Sequence, residues 1–385
     1  MYGRILSKSI RISGSLTSGA IIGIFYHESR RRIRVNDGKS VDLNDRERTI
    51  LRYVVQDFIE TATPVGSRFI SKKHEGELGL SSASIRNVLS DLEGLGYIDH
   101  PHTSAGRVPT DLGYRFYLDS LMATARLSET EKQSIRENLD SAEEVEEFLQ
   151  ESSRLLGRIS RQLCVVTSPQ FNTGVFEKLE VVQISGNRIM VIISIKSGLV
   201  RTIMMEVASE IPREKLEELS RFLNERLSGL TLQQIRESFV DRVKDAQGEQ
   251  TGLIRLFIDS VDKLFVPPRT DRLHIGGTET IVQQPEFMNP KDFRSVIELL
   301  SSEEIIIHVL QKHEAGLGDV TVTVGRENDD EKLQPYSVIT TRYGLGEVTG
   351  MIGMLGPKRM PYDRIIPLVD YVAKTISEMF SSSTR

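Results

Sequence analysis

One cysteine, Cys164, stands in a chain of 385 residues. A single thiol excludes an intramolecular disulfide framework and a cysteine zinc cluster, and it fits a reducing, cytoplasmic setting. No apolar run approaches the roughly 18 residues needed to span a bilayer, so no membrane partner is expected. There is no Walker A loop and no G-x-S-x-G elbow. Gly344, Gly346, Gly350 and Gly353 do not fit G-x-G-x-x-G. His308 and His313 are five apart, the wrong spacing for a helical H-x-x-x-H metal pair. Cys164 lies in apolar company, which reads as core rather than nucleophile. No enzyme, cofactor or metal is expected. An excess of basic charge is also missing, because 49 Lys and Arg face 54 Asp and Glu for a net −5. That total argues mildly against nucleic acid.

The distribution changes the picture. Residues 1–43 hold 8 basic and 3 acidic side chains, a local +5, with a run at Arg30, Arg31, Arg32 and Arg34. Residues 44–121 stand at −2 and residues 122–385 at −8. The first segment reads as a basic flexible extension without a defined role. A phosphate-touching arm is one alternative. A signal peptide is another, disfavoured by the short apolar stretch Ala20–Phe25 and the lack of an A-x-A-like site.

Ordered structure is expected from Asn44, where Asn44 and Glu47 form a capping-box pattern. Ile50, Leu51, Val54, Val55 and Phe58 then share one helical face, and Thr63-Pro64 closes the helix. A short helix follows over Ser67–His74. A third is capped by Ser81 and ends before Gly94 or Gly96. Tyr97-Ile98-Asp99 and Arg107-Val108 read as short strands around a polar turn, and Thr110 caps another helix. Helix, helix, helix, strand, turn, strand is the order of a winged helix-turn-helix.

Capping boxes at Ser128/Glu131 and Ser141/Glu144 open two more helices. The apolar period then shifts from 3.6 to 2, giving strands at Leu163–Thr167, Leu179–Ile184, Arg188–Ile195 and Leu199–Val207. Residues 211–265 return to helix. Strands are expected again near 319–324, 336–342 and 347–355, after helices near 290–313. A last helix runs from Tyr362 to about Phe380. A helical block between two strand-rich portions suggests an insertion into one α/β domain.

The third helix carries the most chemistry. Ile85, Val88, Leu89 and Leu92 share one face; Ala83, Arg86, Asn87 and Ser90 share the opposite one. Arg pairs with guanine O6 and N7, Asn with adenine N6 and N7, and an Ala methyl meets thymine. Ser82 and Ser84 lie in the first turn, where hydroxyls and free N–H groups suit a phosphate. In the turn that follows, His102, Thr103, Ser104 and Arg107 suit backbone or minor-groove contact. The net −2 requires Arg68, Lys72, Lys73, Arg86 and Arg107 to gather on one side.

These stretches resemble the HrcA family of bacterial heat-inducible transcription repressors. The resemblance rests on RERTILRYVVQDFIETATPVGSRFI from Arg46, LSSASIRNVLSDLEGLGYI from Leu80 and HPHTSAGRVPTDLGYRFYLD from His100. RLHIGGTETIVQQPEF from Arg272 and GMIGMLGPKRMPYDRIIPLVDYVAKTISEMF from Gly350 are also similar. It covers about residues 43–381. Val88 stands where many members carry an acidic residue, and residues 1–42 lie outside the pattern. The resemblance implies an α+β multidomain protein. Its parts are a winged-helix DNA-binding domain (44–121), a GAF-like α/β domain (122–209 and 283–385) and an inserted, mainly helical dimerisation domain (210–282). It implies a homodimer on an inverted-repeat double-stranded DNA operator, called CIRCE, with activity maintained by the GroEL chaperonin. DNA contacts carry over to Ser82, Ser84, Arg86, Asn87, His102, Thr103, Ser104 and Arg107; the charge and helix-face readings add Arg68 and Ser90 as expected DNA contacts. The apolar stripes at Leu216, Leu219, Phe222, Leu223, Leu256 and Phe257 are the expected dimerisation surface. Control by a small ligand in the GAF-like domain is the alternative.

Overall fold

The computed structural model describes residues 43–101, 106–140, 142, 145–244, 252–265, 273–287, 294, 298 and 317–382. The extension before Leu43, the turn residues His102, Thr103 and Ser104, the Ser141/Glu144 pair and most of 290–313, with His308 and His313, lie outside the described residues.

The first helix, α1 (Asp45–Thr61), starts as the capping box requires: Asn44 Oδ1 accepts from Arg46 N and Glu47 N, and Glu47 accepts from Asn44 N at 2.8 Å. Ile50, Leu51, Val54 and Val55 are buried, and Phe58 packs at the core margin. Ala62 ends the helix in the left-handed region at φ 52°, a conformation that favours glycine. Next come α2 (Ser67–Lys73), a single turn α3 (Glu75–Leu78) and α4 (Ser82–Gly94). The strands β1 (Ile98–Asp99) and β2 (Val108–Pro109) pair antiparallel. Val65, between α1 and α2, exchanges two backbone hydrogen bonds with Arg107 and extends this hairpin. Thr110 caps α5 (Asp111–Phe116), which runs into a π-turn at Tyr117–Leu121. Gly113 lies so close to the Tyr97 carbonyl that a Cβ would overlap it.

The body begins with α6 (Glu129–Leu139) and α7 (Val145–Ser160). One antiparallel sheet has the order β7-β3-β10-β9-β8. Its strands are β3 (Leu163–Thr167), β7 (Leu273–Gly276), β8 (Thr321–Val324), β9 (Tyr336–Leu345) and β10 (Val348–Pro357). The first of these helices to meet the sheet, α7, packs on β3 and β7, with Gly157 against Gly277. A single turn, α12 (Thr278–Ile281), follows β7, and the last helix, α13 (Tyr362–Ser382), lies on β9.

The second sheet is a separate meander of β4 (Phe176–Ser185), β5 (Arg188–Ile195) and β6 (Val200–Glu206). Its inner face, with Leu179, Val191 and Ile193, is buried beneath the helices that follow. These are α8 (Arg213–Leu227), α9 (Leu232–Val243), α10 (Leu253–Asp259) and α11 (Val261–Phe265). The free edge of β4 is met by α8: Asn224 bonds both Leu179 N (2.7 Å) and Leu179 O (2.9 Å), and Ser220 Oγ accepts from Val181 N. On the far edge, Lys263 Nζ donates to Met204 O.

Strand pairing moves the expected domain boundaries. The β4–β6 strands share no ladder with the five-stranded sheet, so they go with helices α8–α11 rather than with residues 122–209. Leu273–Gly276, placed in the insertion by sequence, is hydrogen-bonded to β3 in the main sheet. Strand pairing thus leaves β4–β6 outside the five-stranded sheet, which takes in Leu273–Gly276. The dimerisation stripe needs correction as well. Leu216, Leu219, Leu223 and Phe257 are buried inside the single chain, and Phe222 and Leu256 pack partly buried against the same core. A fully buried side chain has no area left to give to a partner.

The outer face of the three-stranded sheet carries the exposed apolar area instead. Val182 (39%), Ile184 (52%), Val200 (61%) and Met204 (44%) face solvent. Register places Val182, Met190 and Met204 in one row across the strands.

Candidate nucleic-acid interface

Helix α4 is positioned from three sides. Ser81 Oγ accepts from Ser84 N at 3.1 Å and fixes its start. Ile85, Val88, Leu89 and Leu92 bury its inner face. Ser67 Oγ and Ser82 Oγ, 3.1 Å apart, join it to α2. The outward face keeps Ala83, Arg86, Asn87 and Ser90 exposed, while Ser82 and Ser84 are half-buried in the first turn. Val88 is buried, so no acidic side chain stands there against the core.

Charge within residues 44–121 is sorted by pairing. Arg68, Lys72 and Arg86 are exposed. Lys73 is held instead by buried Asp57 (2.7 Å) and by Glu60 (2.6 Å), hydrogen bonds that raise its pKa. Asp57 also meets His74 Nε2 at 3.1 Å, and His74 stacks on Tyr53. Arg107 is only 18% exposed, and its Nη2 donates to Glu93 at 2.8 Å. Of the five cations expected on one side, Lys73 and Arg107 are thus committed within the chain, and Arg68, Lys72 and Arg86 remain outward. The acidic residues are largely committed too. Glu47 caps α1, Glu77 accepts from Tyr53, and Asp111 and Asp119 turn to the body or to Arg115.

The three-helix unit is docked to the body through α5. Asp111 accepts from Lys358 Nζ (2.5 Å) and Arg326 N (3.0 Å). Arg115 pairs with Glu327, Nε to Oε1 at 2.7 Å, and donates to Val322 O. Tyr114 meets Tyr362 edge-on, and burial pushes its hydroxyl pKa well up. Elsewhere Cys164 is fully buried and burial raises its thiol pKa, which leaves it inert. Among the described residues no group of three or more His, Cys, Asp or Glu is arranged to hold a metal, and no helix is long and apolar enough to cross a membrane.

The comparisons fit this architecture. The model for the HrcA protein C-terminal domain matches residues 146–366, from α7 through both sheets into α13. The heat-inducible transcription repressor HrcA of Chlorobium phaeobacteroides (strain BS1) is 41% identical over 356 residues, 88% of this chain and 99% of that one. The chain belongs to the HrcA family. The namesake from Prosthecochloris aestuarii is 43% identical over 354 residues, covering 89% of this chain and 99% of its own. A crystal structure of a hypothetical protein, 26% identical, covers 89% of this chain and all of its own, with a TM-score of 0.57. HrcA relatives are repressors by name, not enzymes, and this chain carries the mixed α/β architecture along that shared length.

Proposed function

We propose that this chain is a sequence-specific repressor that binds double-stranded DNA with a winged helix-turn-helix formed by residues 44–121. The observation that carries the reading is the exposed Ala83, Arg86, Asn87 and Ser90 face of α4, a helix packed on α1 and α2 and followed by a hairpin. Arg86 pairs with a guanine edge and Asn87 with an adenine edge, while Ala83 meets a thymine methyl. Ser82, Ser84 and Ser90 reach phosphates or base edges beside them. Arg68, with Lys72, sits against the backbone. His102, Thr103 and Ser104 add contacts to the backbone or minor groove.

The repressor acts as a homodimer on an inverted repeat of the CIRCE type, since two-fold protein symmetry matches palindromic half-sites. The second copy seats on the outer face of the three-stranded sheet. Both edges of that sheet are occupied by side chains of the same chain, so the exposed face, not an edge, is open to a partner. Charges of both signs, Lys178, Glu180, Arg188 and Glu206, are exposed around the apolar row, an arrangement that can complement itself about a two-fold axis. The five-stranded sheet with α7 and α13 forms the GAF-like body. Family membership supports maintenance of activity by the GroEL chaperonin and a cytoplasmic site of action.

A gel shift with an inverted-repeat duplex, against the same bases scrambled, tests the DNA reading. Retention of the operator by the double variant Arg86→Ala/Asn87→Ala at parental strength would remove α4 from the role of reader. Chaperonin added to the same reaction should raise the bound fraction; an unchanged fraction would remove GroEL from the account.

A further inference from the structure

Glu93 stands where local preferences argue against it. It lies in the last turn of α4, which carries no basic residue. A carboxylate there opposes the helix dipole. It also places negative charge on the unit that faces DNA, where phosphates would repel it. A residue that contradicts local preference in this way needs a tertiary reason.

The contacts of Glu93 supply one. Its Oε2 accepts from Arg107 Nη2 at 2.8 Å, and its Oε1 meets His100 Nδ1. His100 directly follows β1 and Arg107 directly precedes β2. One carboxylate thus ties the residue after β1 to the residue before β2. Behind it, Arg107 is bonded through its backbone to Val65 in both directions. Gly106 is pressed against the Pro64–Val65 backbone, where a Cβ would come within 2.5 Å of the Val65 carbonyl carbon. The Arg107 side chain is mostly buried, and its Nε is buried without a partner. This is the setting of a brace and not of a side chain extended to solvent.

We infer that Glu93 is a positioning residue for operator binding, fixing the hairpin strands relative to α4 through Arg107 and His100. The inference rests on the reading of α4 and the hairpin as the DNA-binding surface. It revises the role of Arg107, which acts through Glu93 and not as an independent phosphate contact.

Electrostatics alone and positioning predict opposite signs, which makes the test sharp. Removing an acid from a DNA-facing surface should tighten binding if charge is all that matters. Under the inference, Glu93→Gln in the full-length chain weakens binding to the inverted-repeat duplex about tenfold, the scale of one lost charge-assisted hydrogen bond. It also flattens the salt dependence, because a misplaced hairpin loses phosphate contacts. Arg107→Gln gives a similar loss, and the double variant is no worse than either single one. Arg107→Lys keeps the charge but not the guanidinium fork, and it weakens binding too. Thermal melting of each variant confirms that the chain is folded, and Arg107→Lys serves if Glu93→Gln is not. Equal or tighter binding by Glu93→Gln would overturn the inference. So would losses that multiply in the double variant, or parental binding by Arg107→Lys. Arg86→Ala separates the two levels. If it weakens binding while Glu93→Gln does not, the α4 reading stands and only the brace fails. Parental binding by Arg86→Ala overturns both.

Discussion

The exposed face of α4 and the exposed face of the three-stranded sheet are both open to solvent, yet they are built from opposite materials. The first carries Arg86, Asn87, Ser90 and a single methyl from Ala83; the second carries Val182, Ile184, Val200 and Met204. Donors in a rigid row match the edges of base pairs. An apolar row rimmed by mixed charge matches protein, here the second copy of the proposed dimer. Each lies over a well-filled core, Ile85, Leu89 and Leu92 in one case and Leu179, Val191 and Ile193 in the other. The lesson is that burial separates scaffold from surface, and composition of the surface then separates one partner from another.

The comparison can be broken at the scaffold first. Leu219→Ala empties a fully buried position under the sheet and should cost about 2–5 kcal/mol in urea unfolding. A smaller loss than 1 kcal/mol would place the stripe back at a surface. Next comes the sheet face itself. Val182→Lys with Met204→Lys puts two charges into the apolar row and should raise the dimer dissociation constant by about 100-fold or more, while leaving the melting of the monomer nearly unchanged. Sedimentation over a concentration series reads this, and an unaltered dimer would move the interface elsewhere. Arg86→Ala should weaken operator binding by about 1–3 kcal/mol and relax sequence choice. Loss of binding to all sequences alike would make Arg86 a phosphate contact. The smallest effect belongs to Ala62→Gly, which relieves a left-handed alanine and should stabilise the chain by up to about 1 kcal/mol.

The N-terminal unit was the most legible part of the chain. Asn44, Ser81 and Thr110 cap helices where their side chains and the following periodicity place them, and the two faces of α4 separate as the i, i+3, i+4, i+7 spacing requires. Such signals are local, so they survive reading one residue after another. Pairing partners are not local. Leu273–Gly276 is too short to announce itself as a strand, and only its bonds to β3 place it in the main sheet. The one-turn α3 has Gly76 within it and Gly79 at its end, residues that interrupt a helical pattern in sequence. A signal for the second boundary did exist. The strands β4–β6 alternate buried and exposed positions, as a half-covered sheet does, whereas β9 and β10 are nearly continuously buried, as a sheet covered on both faces is. Apolar side chains on the outer positions of β4–β6 blurred that alternation in the sequence. At the interface, spacing found the outward residues of α4 but could not show that Lys73 and Arg107 spend their charge on Asp57, Glu60 and Glu93.

The most direct test of the central claim is a titration of the full-length chain onto an inverted-repeat duplex and onto its scramble, at one stated salt concentration, for the parent and for Arg86→Ala/Asn87→Ala. The account predicts that the parent prefers the operator by about 10³-fold or more, and that the variant loses most of that preference while keeping its weak, salt-sensitive binding to both. Equal affinity of the parent for the two duplexes, or an undiminished preference in the variant, would contradict it.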